Sequence, residues 1–245
     1  MKRYEDVIAL TKDSKEQYLK VKELYDKSLK DKSLDIRVKV KNLMENLRSI
    51  LDYTAHDIYE NICKTQQQKS GKSDISNIYF PYGKNENDFK SSIGRSLPEL
   101  ENLSPSIYDL IKNVQPFACN NSWLYDLCVI NNENKHDKLT PQTREETKTY
   151  TVRGPYGSVS IMIDNPNVRV TSQPGAVKIF GVPAQFTPEG IKTAPSNLQH
   201  ERTVWVSFVF EGTNINVLNL LNNAVPGVES LITSIYKELR GGVAQ

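Results

Sequence analysis

The sequence predicts an α+β fold: an N-terminal helical bundle, then a small antiparallel β-sheet, then a C-terminal helix. Three observations carry that prediction. Residues 3–31 contain neither glycine nor proline and space their apolar side chains for a helix. Residues 147–211 change to short β-branched or alternating stretches separated by Gly, Pro and Asn. Residues 225–242 return to helical periodicity. Segregation of helices from strands along the chain is the mark of this class.

The first helix carries a stripe of Tyr18, Val21, Leu24, Tyr25 and Leu29, and breaks near "DKSLD", where Ser33 is placed to cap the next. A second helix is expected over 34–64. Its Ile36, Val40, Leu43, Leu47, Leu51, Ile58 and Ile62 fall in one arc at 100° per residue, so the two helices should form a hairpin. Residues 65–92 read as a long polar loop with an apolar anchor, "IYFPY", and a short helix over 86–94 at its end. Further helices are expected over 104–114, with Pro105 at the first position, and from a Ser122 cap toward Pro141. Strands are read in "KTYTVRG", "GSVSIMI", "NVRVTS", "AVKIFG" and "RTVWVSFVF". The last helix is expected to have Pro226 near its start and Gly241 just past its end. Its buried face should be Val228, Leu231, Ile232, Ile235 and Leu239. This divides the chain into a bundle over 1–144 and a β region with terminal helix over 145–245. The helix is free to pack on either part.

Composition narrows the function classes. A net charge of +2 lacks the excess of a dedicated nucleic-acid binder, though it permits a local basic groove. Cys63, Cys119 and Cys128 are odd in number and show no zinc spacing, so they read as reduced thiols of a cytoplasmic protein. The first residues hold no apolar stretch of signal-peptide length, and no run nears the roughly 20 apolar residues of a membrane span. Nucleotide-binding glycine loops and a serine nucleophile elbow are absent. "SGKS" at 70–73 lacks the leading glycine of a phosphate loop. No cofactor is expected.

Two polar sets stand out. Arg48, Asp52 and His56 are spaced by four along one side of the second helix, next to its apolar arc. Asp52 could hold Arg48 and orient the His56 imidazole; an exposed ladder of charged pairs is the plainer alternative. Asn132 and His136 are likewise four apart near the end of a later helix, with Lys135 adjacent. There the plainer alternative is a basic cluster favouring the negative helix end. Antiparallel packing could bring the sets together. Two histidines with nearby cations suit metal-independent phosphodiester cleavage: one removes the ribose 2′-hydroxyl proton, the other protonates the leaving oxygen. His56, Asp52 and His136 could instead form a two-histidine, one-carboxylate metal set. Tyr79 and Tyr82 could stack on bases or press the loop against the bundle. His200 reads as a solvated loop histidine.

"LRSILDYTAHDI", "YFPY", "QPF" and "NENKHDKL" together resemble a widespread bacterial family without assigned function, marked by L-R-S-x-L-D-[HY] and N-x-x-K-H, over about residues 43–140. More loosely, the bundle is similar to HEPN domains, many of which are metal-independent RNA endonucleases of defence and toxin systems. This chain departs from their Arg–polar–His motif: seven residues separate Arg48 from His56, and Asn131 and Asn132 stand where arginine would precede His136. The resemblance implies an RNA-cleaving or RNA-binding homodimer in phage defence or stress. His136 would then be the principal acid–base group; Arg48, Asp52 and His56 would stabilise, and Asn132 and Lys135 would contact phosphate. The alternative is a non-enzymatic interaction or ligand-sensing protein whose polar residues form a structural network.

Overall fold

Val7, Ser14, Val21 and Ser28 are buried at intervals of seven residues along the first helix, α1 (Tyr4–Ser28). A seven-residue repeat keeps one narrow seam facing a partner helix. That partner is α2 (Arg37–Ile58), which packs along α1 as the hairpin expects. The computed structural model describes residues 1–28, 34–136, 142–163, 171–210 and 213–241; the side chains of 133–147 and 202–206 lie outside the description. The expected Ser33 cap lies outside the described residues.

The structure is α+β, with helices at both ends and two three-stranded antiparallel sheets between them. Helix α2 is its central rod, in contact with α1, α8 (Trp123–His136) and α9 (Val217–Gly241). Being covered from several directions, it buries more than the predicted arc: Met44, Ile50, Thr54, Ala55 and Asp57 join Val40, Leu43, Leu47, Leu51 and Ile58. The helix does not run uniformly to residue 64. It widens into a π-helical turn at Tyr59–Cys63, then resumes as α3 (Lys64–Lys69). Gly71 follows with φ +67°, the left-handed conformation that ends helices.

The remaining bundle helices are α4 (Glu86–Ser96), α5 (Leu100–Leu103), α6 (Pro105–Lys112), α7 (Pro116–Cys119), α8 (Trp123–His136) and α9 (Val217–Gly241). The Asn85 carboxamide oxygen caps α4 by accepting the Asp88 backbone N–H at 3.0 Å. The terminal helix begins at Val217, well before the start that Pro226 suggests, and that proline lies inside it. Asn216 accepts the Asn219 N–H at 2.9 Å, and Val217, Leu220, Leu221 and Ala224 extend the buried stripe backward. Gly227 beside the proline lets Trp123 of α8 approach: a Cβ there would stand 2.9 Å from the indole.

By its contacts the chain forms two compact units, 1–142 with 210–245 and 143–209. The helical unit therefore includes α9, which the sequence boundary grouped with the strands. In the second unit β1 (Gln142–Gly154) pairs antiparallel with β2 (Gly157–Ile163), in a sheet of order β2-β1-β6 with β6 (Gln199–Phe210). The other sheet is β3 (Val177–Ile179), β4 (Val182–Thr187) and β5 (Gly190–Thr193). Pro183 obscures β4 in the sequence, since proline breaks the pattern of a central strand. The "NVRVTS" stretch lies largely outside the described residues, and its described end, 171–172, is not strand.

Val152, Ile179, Ala184 and Ile191 form the core of this unit, with Tyr150, Phe180 and Phe186 against them. Two glycines make room for the rings. A Cβ on Gly154 would fall 2.5 Å from Phe180, and one on Gly190 would fall 2.3 Å from Tyr150. Gly190 also has φ +143°, outside the range of other residues. Gly190→Ala should therefore destabilise this unit by about 1–3 kcal/mol, the usual result of overpacking. Denaturant unfolding followed by near-UV circular dichroism of the tyrosines measures it; an unchanged midpoint would contradict the packing described.

Candidate functional site

Extended chain alternates its side chains, and at the start of the segment from Ile78 to Gly83 the residues Ile78 to Phe80 follow that rule against the bundle. Ile78 and Phe80 are buried, while Tyr79 between them is 56% exposed. Backbone hydrogen bonds hold the segment in this register. Asp52 of α2 accepts the Phe80 N–H at 2.8 Å, Ser92 of α4 accepts that of Tyr82 at 3.3 Å, and Gln115 accepts that of Gly83 at 3.0 Å. Buried Gln115 also donates to the carbonyls of Pro81 and Ile111. Gly83 is required by proximity, since a Cβ would lie 2.3 Å from the Phe89 backbone nitrogen.

Beside this segment opens a cleft of about 900 Å³. Arg48 of α2 lies in it, Tyr79, Tyr82 and Lys84 come from the extended segment, Ser91 and Arg95 from α4, and Tyr125 and Asn132 from α8. Four residues singled out in the sequence, Arg48, Tyr79, Tyr82 and Asn132, thus share one cavity. The rings of Tyr82 and Tyr125 meet edge to face, 6.1 Å apart. Asn132 donates an amide hydrogen to the Tyr82 hydroxyl at 3.0 Å.

Arg48 is not part of an exposed ladder. It is 3% exposed because the bundle closes around α2. Its Nε and one terminal nitrogen bind Asp52, at 3.1 and 3.0 Å, and the other donates to Cys128 Sγ of α8. Its guanidinium also lies 5.4 Å from the centre of the Tyr82 ring. Burial opposes the Arg48 charge, but Cys128, Asp52 and Tyr82 more than offset it and hold its pKa above the ordinary value. Burial, followed by Cys128, pushes the Tyr82 hydroxyl up. By contrast Lys84 and Arg95 are exposed and have no ion-pair partner among the described residues.

His56 is half-buried and is not among the residues lining the cleft. Among the described residues no hydrogen bond links it to Asp52, whose oxygens serve Arg48 and Phe80. The charged groups that act on it are Arg3, Glu60, Asp52 and buried Asp57, the last of which accepts the Tyr236 hydroxyl at 3.0 Å. The side chains of Lys135 and His136 lie outside the described residues, so the expected pairing of His56 with His136 falls there too. The α8 backbone stays helical to His136. Asn131 is fully buried, and neither end of its amide has a partner among the described residues.

The sequence reading overlooks Lys84, Arg95 and Tyr125. For Arg95 the available signal is helical spacing, which sets Asp88, Ser91, Ser92, Arg95 and Ser96 on one side of α4. His200 lies within β6 and not in a loop; its ring nitrogens are 3.1 Å from the hydroxyls of Tyr150 and Thr193. Burial raises the Cys63 thiol to about 12, which leaves it protonated and unreactive. Among the described residues no group of three or more His, Cys, Asp or Glu could hold a metal ion. Nor is any described helix long and apolar enough to cross a membrane.

No protein-family model matches the chain, and neither a curated protein nor a solved structure matches it.

Burial first, and Arg3 second, hold the His56 pKa below 6.5. A depressed histidine favours the folded state above its unfolded pKa of about 6.5. That contribution is lost as pH falls through the folded value. His56→Gln should flatten the decline of unfolding free energy below pH 6.5, measured by urea titration. NMR titration should place the imidazole below 6.5, and a raised value would contradict the environment described.

Proposed function

We propose that the helical unit is a HEPN-like RNA-binding module that takes single-stranded RNA in the cleft beside Ile78–Gly83. The observation that carries the reading is an exposed tyrosine, Tyr79, in a cleft with Tyr82, Tyr125 and two cations, Lys84 and Arg95, that are unpaired among the described residues. Aromatic faces accept unstacked bases and cations track the backbone phosphates. Duplex RNA, whose bases are already stacked, offers this cleft much less.

Binding is favoured over turnover by the state of Arg48. Its donors are directed at Asp52 and Cys128, leaving it poorly placed to stabilise a phosphorane. A cleaving HEPN-like enzyme would depend on His136, which follows Asn132 by one helical turn. A homodimer and a role in phage defence or stress belong to the same proposal, on the HEPN resemblance.

Fluorescence anisotropy with labelled single-stranded RNA tests it. The Lys84→Ala, Arg95→Ala double variant should bind more weakly, with a log–log salt slope smaller by about 0.7 for each phosphate it no longer neutralises. Tyr79→Ala should lose about 1–3 kcal/mol for the base it stacks. Full affinity in the double variant overturns the reading. Incubation with labelled RNA and a chelator should leave the strand intact; cleavage that His136→Ala abolishes would restore the nuclease alternative.

A further inference from the structure

Asn132 lines the cleft half-buried, with one amide hydrogen held by the Tyr82 hydroxyl. That bond restrains the amide. Its carbonyl oxygen and second hydrogen have no partner among the described residues. A restrained, open carboxamide in a cleft with three tyrosines presents an acceptor beside a donor to a flat ligand. The cleft's cations cannot serve this purpose: Arg48 is held by Asp52 and Cys128, Lys84 is an exposed point charge, and Arg95 offers donors without an acceptor.

We infer that the base read in this cleft is adenine, recognised by the free edge of Asn132; this rests on the RNA-binding reading above. Adenine places an amino donor beside a ring-nitrogen acceptor, the complement of a carboxamide. It does so on both of its hydrogen-bonding edges, with N6 beside N7 and N6 beside N1. An amide can therefore engage it in either stacked orientation. Guanine matches a carboxamide through O6 and N1–H but shows only the N7 and O6 acceptors on its other edge, and cytosine and uracil likewise match on one edge only. The larger purine face also suits the tyrosines.

The test compares labelled A10, C10 and U10 RNA strands on the full chain, with AMP and UMP as competitors. A10 should bind roughly tenfold more tightly than U10 or C10, within the range of one bidentate contact. AMP should displace it better than UMP, and better than GMP added in the same assay; displacement by GMP equal to that by AMP overturns adenine recognition. Asn132→Asp replaces the amide donor by a carboxylate that can accept from the Tyr82 hydroxyl, and it lacks the free donor, so its A10-to-U10 ratio should fall toward one. Its thermal unfolding, measured alongside, should match the parent. Equal binding of the three strands, or equal competition by AMP and UMP, overturns adenine recognition and leaves RNA binding in place. An unchanged ratio in a folded Asn132→Asp protein overturns the assignment to Asn132. Absence of binding by every strand removes the RNA reading itself.

Discussion

The Asp52 carboxylate is the constraint on which the cleft depends. It takes two nitrogens of buried Arg48 and the backbone N–H of Phe80. Arg48 in turn reaches Cys128 on α8 and the ring of Tyr82. One ion pair thus joins the central helix, the extended segment and a third helix. Charges out of water are stabilised only when paired and hydrogen-bonded, so the segment must bring Phe80 to Asp52 for the pair to be satisfied. Removing either partner would strand the other, at a cost of about 3–5 kcal/mol.

That role explains why Arg48 and His56, aligned on paper, behave differently. Both follow the four-residue ladder along α2. Arg48 lies where α8 and the segment close over the helix, and its long side chain finds Cys128 and Tyr82 there. His56 is two turns on, about 12 Å along the axis. Its charge is influenced by Arg3, Glu60, Asp52 and Asp57, and Asp57 in turn binds the backbone of Arg3 and the Tyr236 hydroxyl of α9. The helix face is continuous, but its neighbours change along its length.

This is also the limit of what the sequence made legible. The α+β class, the α1–α2 hairpin and the buried stripes of α2 and α9 follow from periodicity, because each helix hides its apolar face wherever its partners stand. Arg48, Asp52, Tyr79, Tyr82 and Asn132 could be singled out as unusual polar or aromatic residues. Their burial could not, since it depends on how many helices surround α2. Lys84 and Arg95 escape notice because an exposed lysine or arginine looks the same on any surface; only the cleft distinguishes them. The strand β4 was hidden by Pro183, and the first turns of α9 by reading Pro226 as a start signal. In both cases tertiary packing overrode a local rule that is usually sound.

The open groups of the cleft follow from the closed ones. Because Ile78 and Phe80 are buried and their register is pinned by Asp52 and Ser92, alternation forces Tyr79 outward. Because Tyr82 is backed by Arg48 and meets Tyr125, its hydroxyl is fixed where Asn132 can donate to it. The carboxamide is then held with its other edge open. A surface left to chance would let Tyr79 fold down and Asn132 rotate, and binding would have to offset that lost freedom. Here folding itself restrains Tyr82 and Asn132, so a ligand of the kind proposed would not have to order them.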